Sequence, residues 1–452
     1  MLSPDFQSRL LNSKRVLFFL ILLCTAIVGV TAYRTYQRYS PPSSEFDWAN
    51  RGLSDFHNGV YLPTQAFRDG VNPYSLGVLQ RYEMARQTPL YSPAIFILHL
   101  PLSYLGLPAA DVTFFCASTL LMAGLCGLAV GWGRSIESKL APEAAEHRSW
   151  IPFLCLTLIA LCLLLLSRPG HVTLFTGYFT LELVFGTVIA LHYAEKRPGV
   201  SGVGILLASG KPTYVLPLII VMFARQNFRA LIFGVGFCIV VGVSGLAWLA
   251  SFSSWQTVLS DIQQGQANVL NDPIEMPINT WTRVDIAGLV AKGFGWHPPE
   301  KIYLLAMFPQ LAVVAFFIGR IAKYERQQPL HAGVLGPSAI IGLLAITISI
   351  YHHAYDTLLV FVPIVSLLFF AKTALPLLPN RYRFLALGLS LVPMLNFVST
   401  KSVRDKLDLD PYGFVWQSIT MINGISLLLA LVVLIIGYSR TYSESAVDGS
   451  DA

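Results

Sequence analysis

From residue 16 to residue 437 one apolar run follows another with only short polar breaks, and that pattern restricts the chain more than any motif in it. A membrane-spanning helix needs about 20 largely apolar residues, so 452 residues of this kind hold roughly ten to thirteen spans and leave no room for a large separate soluble domain. Charge supports the same reading. Only 12% of the residues are charged, where a soluble domain carries about 25%. The expected fold is therefore all-α: one polytopic transmembrane bundle over 1–437, followed by a Ser- and acid-rich tail, 438–452, expected to be disordered and cytoplasmic. The net charge of +6 gathers beside particular hydrophobic ends, which signals membrane orientation, and no nucleic-acid partner is expected. Cys24, Cys116, Cys126, Cys155, Cys162 and Cys238 all lie in apolar runs without a Cys-x-x-Cys spacing and read as small core hydrophobes.

Basic Arg9, Lys14 and Arg15 precede the run 16–33, which is too long for a signal peptide and lacks a small-x-small cleavage site. It reads as a retained first span with a cytoplasmic N-terminus, which puts loop 34–88 outside. That loop carries two expected interfacial helices, 56–69 with Asp55 as N-cap and Gly70 as terminator, and 75–87 ahead of Pro89. Apolar runs follow at 90–107, 109–132, 150–166 and 177–193, with a charged connection at 133–149 and a short polar one at 167–173. Counting turns leaves one parity mismatch between 89 and 193, which a second re-entrant segment there resolves.

Stretch 199–224 is flanked by Lys196-Arg197 and by Arg225 and Arg229, so the positive-inside rule asks for both its ends in the cytoplasm. Gly210-Lys211-Pro212 lies in its middle. Glycine and proline break helices, and a lysine at that depth is costly unless it faces a wet cavity, so the stretch reads as two short helices meeting at Lys211. One continuous kinked span with a snorkelling lysine is the plainer alternative. The remaining runs, 230–250, 301–319, 333–350, 356–371, 384–398 and 413–437, alternate cleanly. They place a second outer loop at 251–300, put Tyr351-His352-His353-Ala354-Tyr355-Asp356 on the outer face and return the C-terminus to the cytoplasm.

No phosphate-cradling glycine loop, nucleophile elbow or His-Glu-x-x-His motif is present. What the outer face does collect is Asp55, His57, His171, Lys211, Arg283, Asp285, His352, His353, Tyr355 and Asp356. A carboxylate with cations and aromatic rings at one interface suits attack of a hydroxyl on a lipid-linked phosphate sugar: the carboxylate takes the proton and the cations meet the leaving phosphate. Each residue has a plainer reading as well. Asp55 serves as a helix cap, His57 as a solvated residue in the first turn, His352 and His353 as a polar end in an aromatic belt, and Arg283 with Asp285 as a surface pair. A transporter or flippase of lipid-linked sugars shares the broken helix and the intramembrane lysine, but no second half repeats the first and the polar residues gather on one side. An assembly subunit without chemistry is the third possibility.

Asp55-Phe-His57 with Tyr61, then Phe67-Arg-Asp-Gly70-x-Asn72-Pro73-Tyr74, then Tyr91-Ser-Pro93, Gly177-Tyr178, Lys211-Pro212 and His352-His353-Ala-Tyr355-Asp356 resemble, in this order, the polyprenol-phosphate-mannose-dependent glycosyltransferases of family 87, members of the multi-spanning GT-C superfamily. The resemblance covers about residues 53–370; Tyr178 stands where the family usually has Gln, and Ser92 where proline is frequent. It implies a sugar donor linked to polyprenyl phosphate, a lipid or glycan acceptor, inversion at the anomeric carbon, and no cofactor, nucleotide or obligatory metal. It also implies Asp55 as the base. Lys211, His352 and His353 are then expected at the donor phosphate, and His57, Tyr61, Asn72, Tyr74, Tyr355 and Asp356 around the substrates. The expected setting is the bacterial inner membrane, with bilayer lipids as neighbours.

Overall fold

The computed structural model describes residues 11–39, 51–84, 89–140, 150–272, 276–296, 300–327 and 333–448. Among these residues the secondary structure is helical, with two isolated bridges, Tyr39 to Gly52 and Arg283 to His353, and no strand. Six helices are long and apolar enough to cross a membrane: Lys14–Gln37, Leu107–Leu140, Phe228–Ala250, Met307–Gln327, Asn380–Ser399 and Phe414–Arg440. The expected all-α polytopic bundle is what forms, and the chain is an integral membrane protein.

The other apolar runs do not become full spans. Pro93–Tyr104, Thr180–Tyr193, Pro198–Ala208, Pro212–Ala224, Pro337–Ser349 and Ala354–Phe369 are each 10–17 residues long. At 1.5 Å per residue a 13-residue helix covers only about 20 Å, against roughly 30 Å of hydrocarbon. Their ends must therefore find polar partners inside the protein. Helix Pro337–Ser349 shows how this is arranged: every one of its residues is buried, and it forms the centre around which longer helices pack. Neighbouring short helices approach closely through small residues. A Cβ on Gly186 would stand 2.7 Å from the Gly204 carbonyl oxygen, and Ser201 donates to the Ala190 carbonyl at 2.7 Å.

The stretch 199–224 is broken as its sequence demands: one helix ends at Ala208 and the next begins at Pro212. Between 89 and 193 the structure holds a second break. Helix Trp150–Leu166 turns by 72° into Arg168–Thr176, where the sequence suggests only a polar connection at 167–173. Ser167 caps that short helix by accepting from Gly170 N–H, with Pro169 in its first turn. The first loop also departs from expectation. Instead of one helix over 56–69 it forms a π-helix, Phe56–Tyr61, running into an α-helix, Leu62–Arg68. Of the expected 75–87 helix the turn Gly77–Arg81 forms, and 85–88 lie outside the described residues. Loop 251–300 contains helices Trp255–Leu270 and Ile286–Phe294. The last helix continues to Asp448, past the point where the sequence suggests a disordered tail.

Candidate active site

The short-helix ends converge on Lys211. It sits in extended backbone between Ala208 and Pro212 and is almost fully buried. An ammonium removed from water needs a counter-charge, and Asp356 supplies it: Lys211 Nζ lies 3.2 Å from Asp356 Oδ2. The Tyr214 hydroxyl donates to Asp356 Oδ1 at 2.8 Å, and His353 N–H donates to Oδ2 at 2.8 Å. Around the ammonium stand the rings of Tyr355, Tyr178, Tyr214 and Tyr351, with centroids 5.5–5.9 Å from Nζ. Their faces add electrostatic stabilisation without neutralising the charge. Tyr178 and Tyr355 pack at 4.5 Å, and the hydroxyls of Tyr178 and Tyr91 are 3.0 Å apart.

Asp55 enters from the first loop. Leu53 has a left-handed backbone and its N–H donates to the Phe175 carbonyl at 2.8 Å, which ties the loop to the end of helix Arg168–Thr176. Asp55 itself adopts helical backbone angles and caps nothing with its side chain, so the simple capping role is not the one it plays. The residue as a whole is half-buried, but its carboxylate is turned inward and makes no ion pair with the described residues. The Thr176 hydroxyl faces it and favours the ionised form without completing a well-aligned hydrogen bond, and Tyr355 stands close enough to feel its charge. Loss of water dominates: burial pushes its pKa from 3.8 up to about 6. The loop and helix meet at Gly177, whose φ of 72° is left-handed and where a Cβ would stand 2.7 Å from Phe56 Cβ. Gly177→Ala is expected to destabilise the protein by about 1–3 kcal/mol and to lower activity by displacing Asp55's neighbour, measured by thermal unfolding and by turnover.

The two histidines come just before Tyr355 in the chain, each in a different setting. His352 is fully buried, its ring 5.0 Å from Tyr214 and near the Ile350 backbone without completing a well-aligned hydrogen bond. His353 shares a 2.6 Å contact between Nδ1 and Thr282 Oγ1 and stacks on Tyr355. Desolvation lowers their pKa values to about 4 and about 3, so both rings are neutral at pH 7. Asp285, suggested by sequence as half of a surface pair, is instead buried. It grips Arg283 at 2.7 and 2.9 Å and accepts the backbone N–H of His352 at 3.1 Å, fixing the histidine segment.

The remaining candidates fasten the loop. His57 is buried against Asp111, with Nε2 2.7 Å from Oδ1. Tyr61 donates to the Leu105 carbonyl at 2.7 Å, Tyr74 to the Tyr91 carbonyl at 2.6 Å, and Asn72 Nδ2 to Asp261 Oδ2 at 2.8 Å. His171 stacks on Phe175. Reasoning from sequence missed Tyr214, Thr176 and Asp111. Tyr214, one helical turn beyond Lys211, was the one with a usable signal. Beside the loop, an apolar groove of about 260 Å³ is lined by Phe67, Arg68, Ile97, Leu100, Tyr104 and Trp248 among others.

The described residues thus form a membrane bundle in which broken helices bring the Asp55 carboxylate and the caged Lys211 close to Tyr355. The sequence model of glycosyltransferase family 87 matches residues 90–349, more than half of the chain, and the chain belongs to that family. It is a glycosyltransferase. The matched region includes Tyr91, Tyr178 and Lys211; Asp55, His352, His353 and Asp356 lie outside it. Comparison with curated proteins and with solved structures finds no match.

Proposed function

We propose that the enzyme is an inverting transferase that moves a hexose, mannose before other hexoses, from a polyprenyl-phosphate donor to a hydroxyl of a lipid or glycan acceptor. Asp55 takes the acceptor's hydroxyl proton as its oxygen attacks the anomeric carbon. The bond from that carbon to the phosphate oxygen breaks, and polyprenyl phosphate leaves with the electron pair. Lys211 meets the charge on the departing phosphate. His352 and His353, neutral at working pH, act on it as hydrogen-bond donors. Tyr355 borders the sugar, while Asp356 holds Lys211 and Tyr61, Asn72 and Tyr74 keep the loop against the substrates. The apolar groove by Trp248 suits a lipid chain.

The observation that carries the reading is the carboxylate of Asp55: desolvated, without an ion-pair partner among the described residues, and next to the aromatic cage of Lys211. A base with a pKa near 6 is ionised at neutral pH yet still basic enough to take a proton. Basic residues favour placing the reaction on the outer face of a bacterial inner membrane with both termini cytoplasmic: Lys14 and Arg15 precede the first span, and Arg320, Lys323, Lys372, Arg381 and Arg383 mark later turns.

Purified protein in detergent, given polyprenyl-phosphate [14C]mannose and a total lipid extract, is expected to label a lipid or glycan acceptor; guanosine-diphosphate mannose in its place is expected to label none. Nucleotide-sugar use, or no transfer from the lipid donor, overturns the reading. Asp55's raised pKa sets the direction of the pH dependence. The active form is the ionised one, present above about pH 6 and lost as pH falls through that value. The acid limb of kcat/KM is therefore expected to reach half its plateau near pH 6 and to drop about tenfold per unit below it.

A further inference from the structure

Asp111 belongs to no motif in the sequence, yet the segment carrying Asp55 is mounted on the helix whose second turn holds Asp111. Three contacts join them. His57 Nε2 meets Asp111 Oδ1 at 2.7 Å, with both side chains buried. The Phe56 ring stacks on Phe114, on the same helix face as Asp111, at 4.2 Å and 21°. Tyr61 donates to the carbonyl of Leu105, just before the helix Leu107–Leu140 starts. The residues held this way, Phe56, His57 and Tyr61, lie on the π-helix immediately after Asp55. A π-helix is rare and is frequently found at functional sites. Behind the pair, Tyr39 lies edge-on to the His57 ring at 5.7 Å. The Tyr39 hydroxyl also acts on Asp111 without completing a well-aligned hydrogen bond, so the one well-formed hydrogen bond of the pin is that between His57 Nε2 and Asp111 Oδ1.

We infer that Asp111, acting through His57, is a positioning residue that holds the π-helical segment so that the Asp55 carboxylate faces Thr176 and Tyr355. His57 thereby belongs to the scaffold of the base and not to the acceptor. The inference rests on the reading of Asp55 as the base. Around the Asp55 carboxylate stand Thr176 from helix Arg168–Thr176 and Tyr355 from the turn after His353, with the His57–Asp111 pair behind its own segment. Freeing the segment admits water to Asp55 and moves it out of line with the acceptor, and a misplacement of about 1 Å costs on the order of 100-fold in rate.

The experiment compares wild type, Asp111→Ala and Asp111→Asn in lipid nanodiscs. Two readouts are taken: transfer from polyprenyl-phosphate mannose, and the pH titration of Asp55 by infrared difference spectroscopy, with the Asp55→Asn spectrum subtracted on each background. Asp111→Ala is expected to lose about 30- to 100-fold in kcat with donor KM within about twofold, and its Asp55 carboxyl signal to titrate at lower pH than in wild type. Asp111→Asn, which keeps an oxygen for His57, is expected to recover kcat to within about tenfold of wild type. A folded Asp111→Ala protein with unchanged kcat and an unchanged Asp55 titration overturns the inference. So does a loss confined to thermal stability. If Asp111→Ala does not fold, an Asp111→Asn protein identical to wild type in both readouts is consistent with the pin, and one that loses kcat fully without moving the titration overturns it. If wild type itself fails to use the mannosyl donor, the donor reading falls, and the infrared titration still decides on Asp111.

Discussion

Asp55→Asn and Asp55→Ala proteins insert and fold but lose transfer by about 1,000-fold or more. Removing a general base costs about 100- to 10,000-fold, and the two other carboxylates next to the lysine cage are committed elsewhere: Asp356 to Lys211 and Asp285 to Arg283. The stability of the variants separates lost chemistry from lost structure. The folded protein raises the pKa of Asp55 from 3.8 to about 6, so the native state favours the protonated acid. Ionised Asp55 therefore weakens the fold. The penalty is absent below about pH 4, grows as pH rises towards 6, and levels off above that at about 2–3 kcal/mol. Asparagine has the same shape without the charge, so at pH 7.5 Asp55→Asn is expected to unfold at a temperature equal to or above that of wild type, with the difference shrinking towards pH 4. A destabilised, inactive Asp55→Asn protein would point to a structural role. Full activity in it would remove Asp55 as base.

How far the sequence reaches is visible in individual elements. Hydropathy marks the long spans because lipid demands about 20 apolar residues in a row, and Gly210-Lys211-Pro212 marks its own break because each of the three opposes a continuous buried helix. Lys211 and Asp356 are both candidates by sequence, and 3.2 Å separates their charged atoms in the fold. Helix Arg168–Thr176 was missed although Ser167-Arg-Pro is a good helix start, because polarity in a short segment also reads as a turn. The π-helix after Asp55 leaves no local trace: its cause is the contacts of Phe56, His57 and Tyr61 with residues around 50 positions away. Asp285 shows the same limit. Nothing near it in sequence reveals that it holds the backbone of His352, 67 positions on.

Lys211→Met carries the second large effect, and a double variant separates its two duties. The single change leaves Asp356 buried at the centre of the bundle with its cation gone, keeping only the Tyr214 hydroxyl and the His353 N–H. Breaking one side of a buried pair costs about 3–5 kcal/mol, so the single variant is expected to unfold early and to be inactive. Adding Asp356→Asn removes the stranded charge while an amide oxygen still accepts from one of those donors. The double variant is expected to regain most of the lost stability. It is not expected to regain transfer. If the ammonium in its cage of Tyr178, Tyr214, Tyr351 and Tyr355 meets the leaving phosphate, its absence costs about 100- to 1,000-fold in kcat whatever the fold. A stable double variant with kcat within tenfold of wild type would instead make Lys211 the counter-ion of Asp356 and no more. The phosphate would then have to be met by neutral donors such as His352, whose buried ring nitrogens complete no well-aligned hydrogen bond among the described residues.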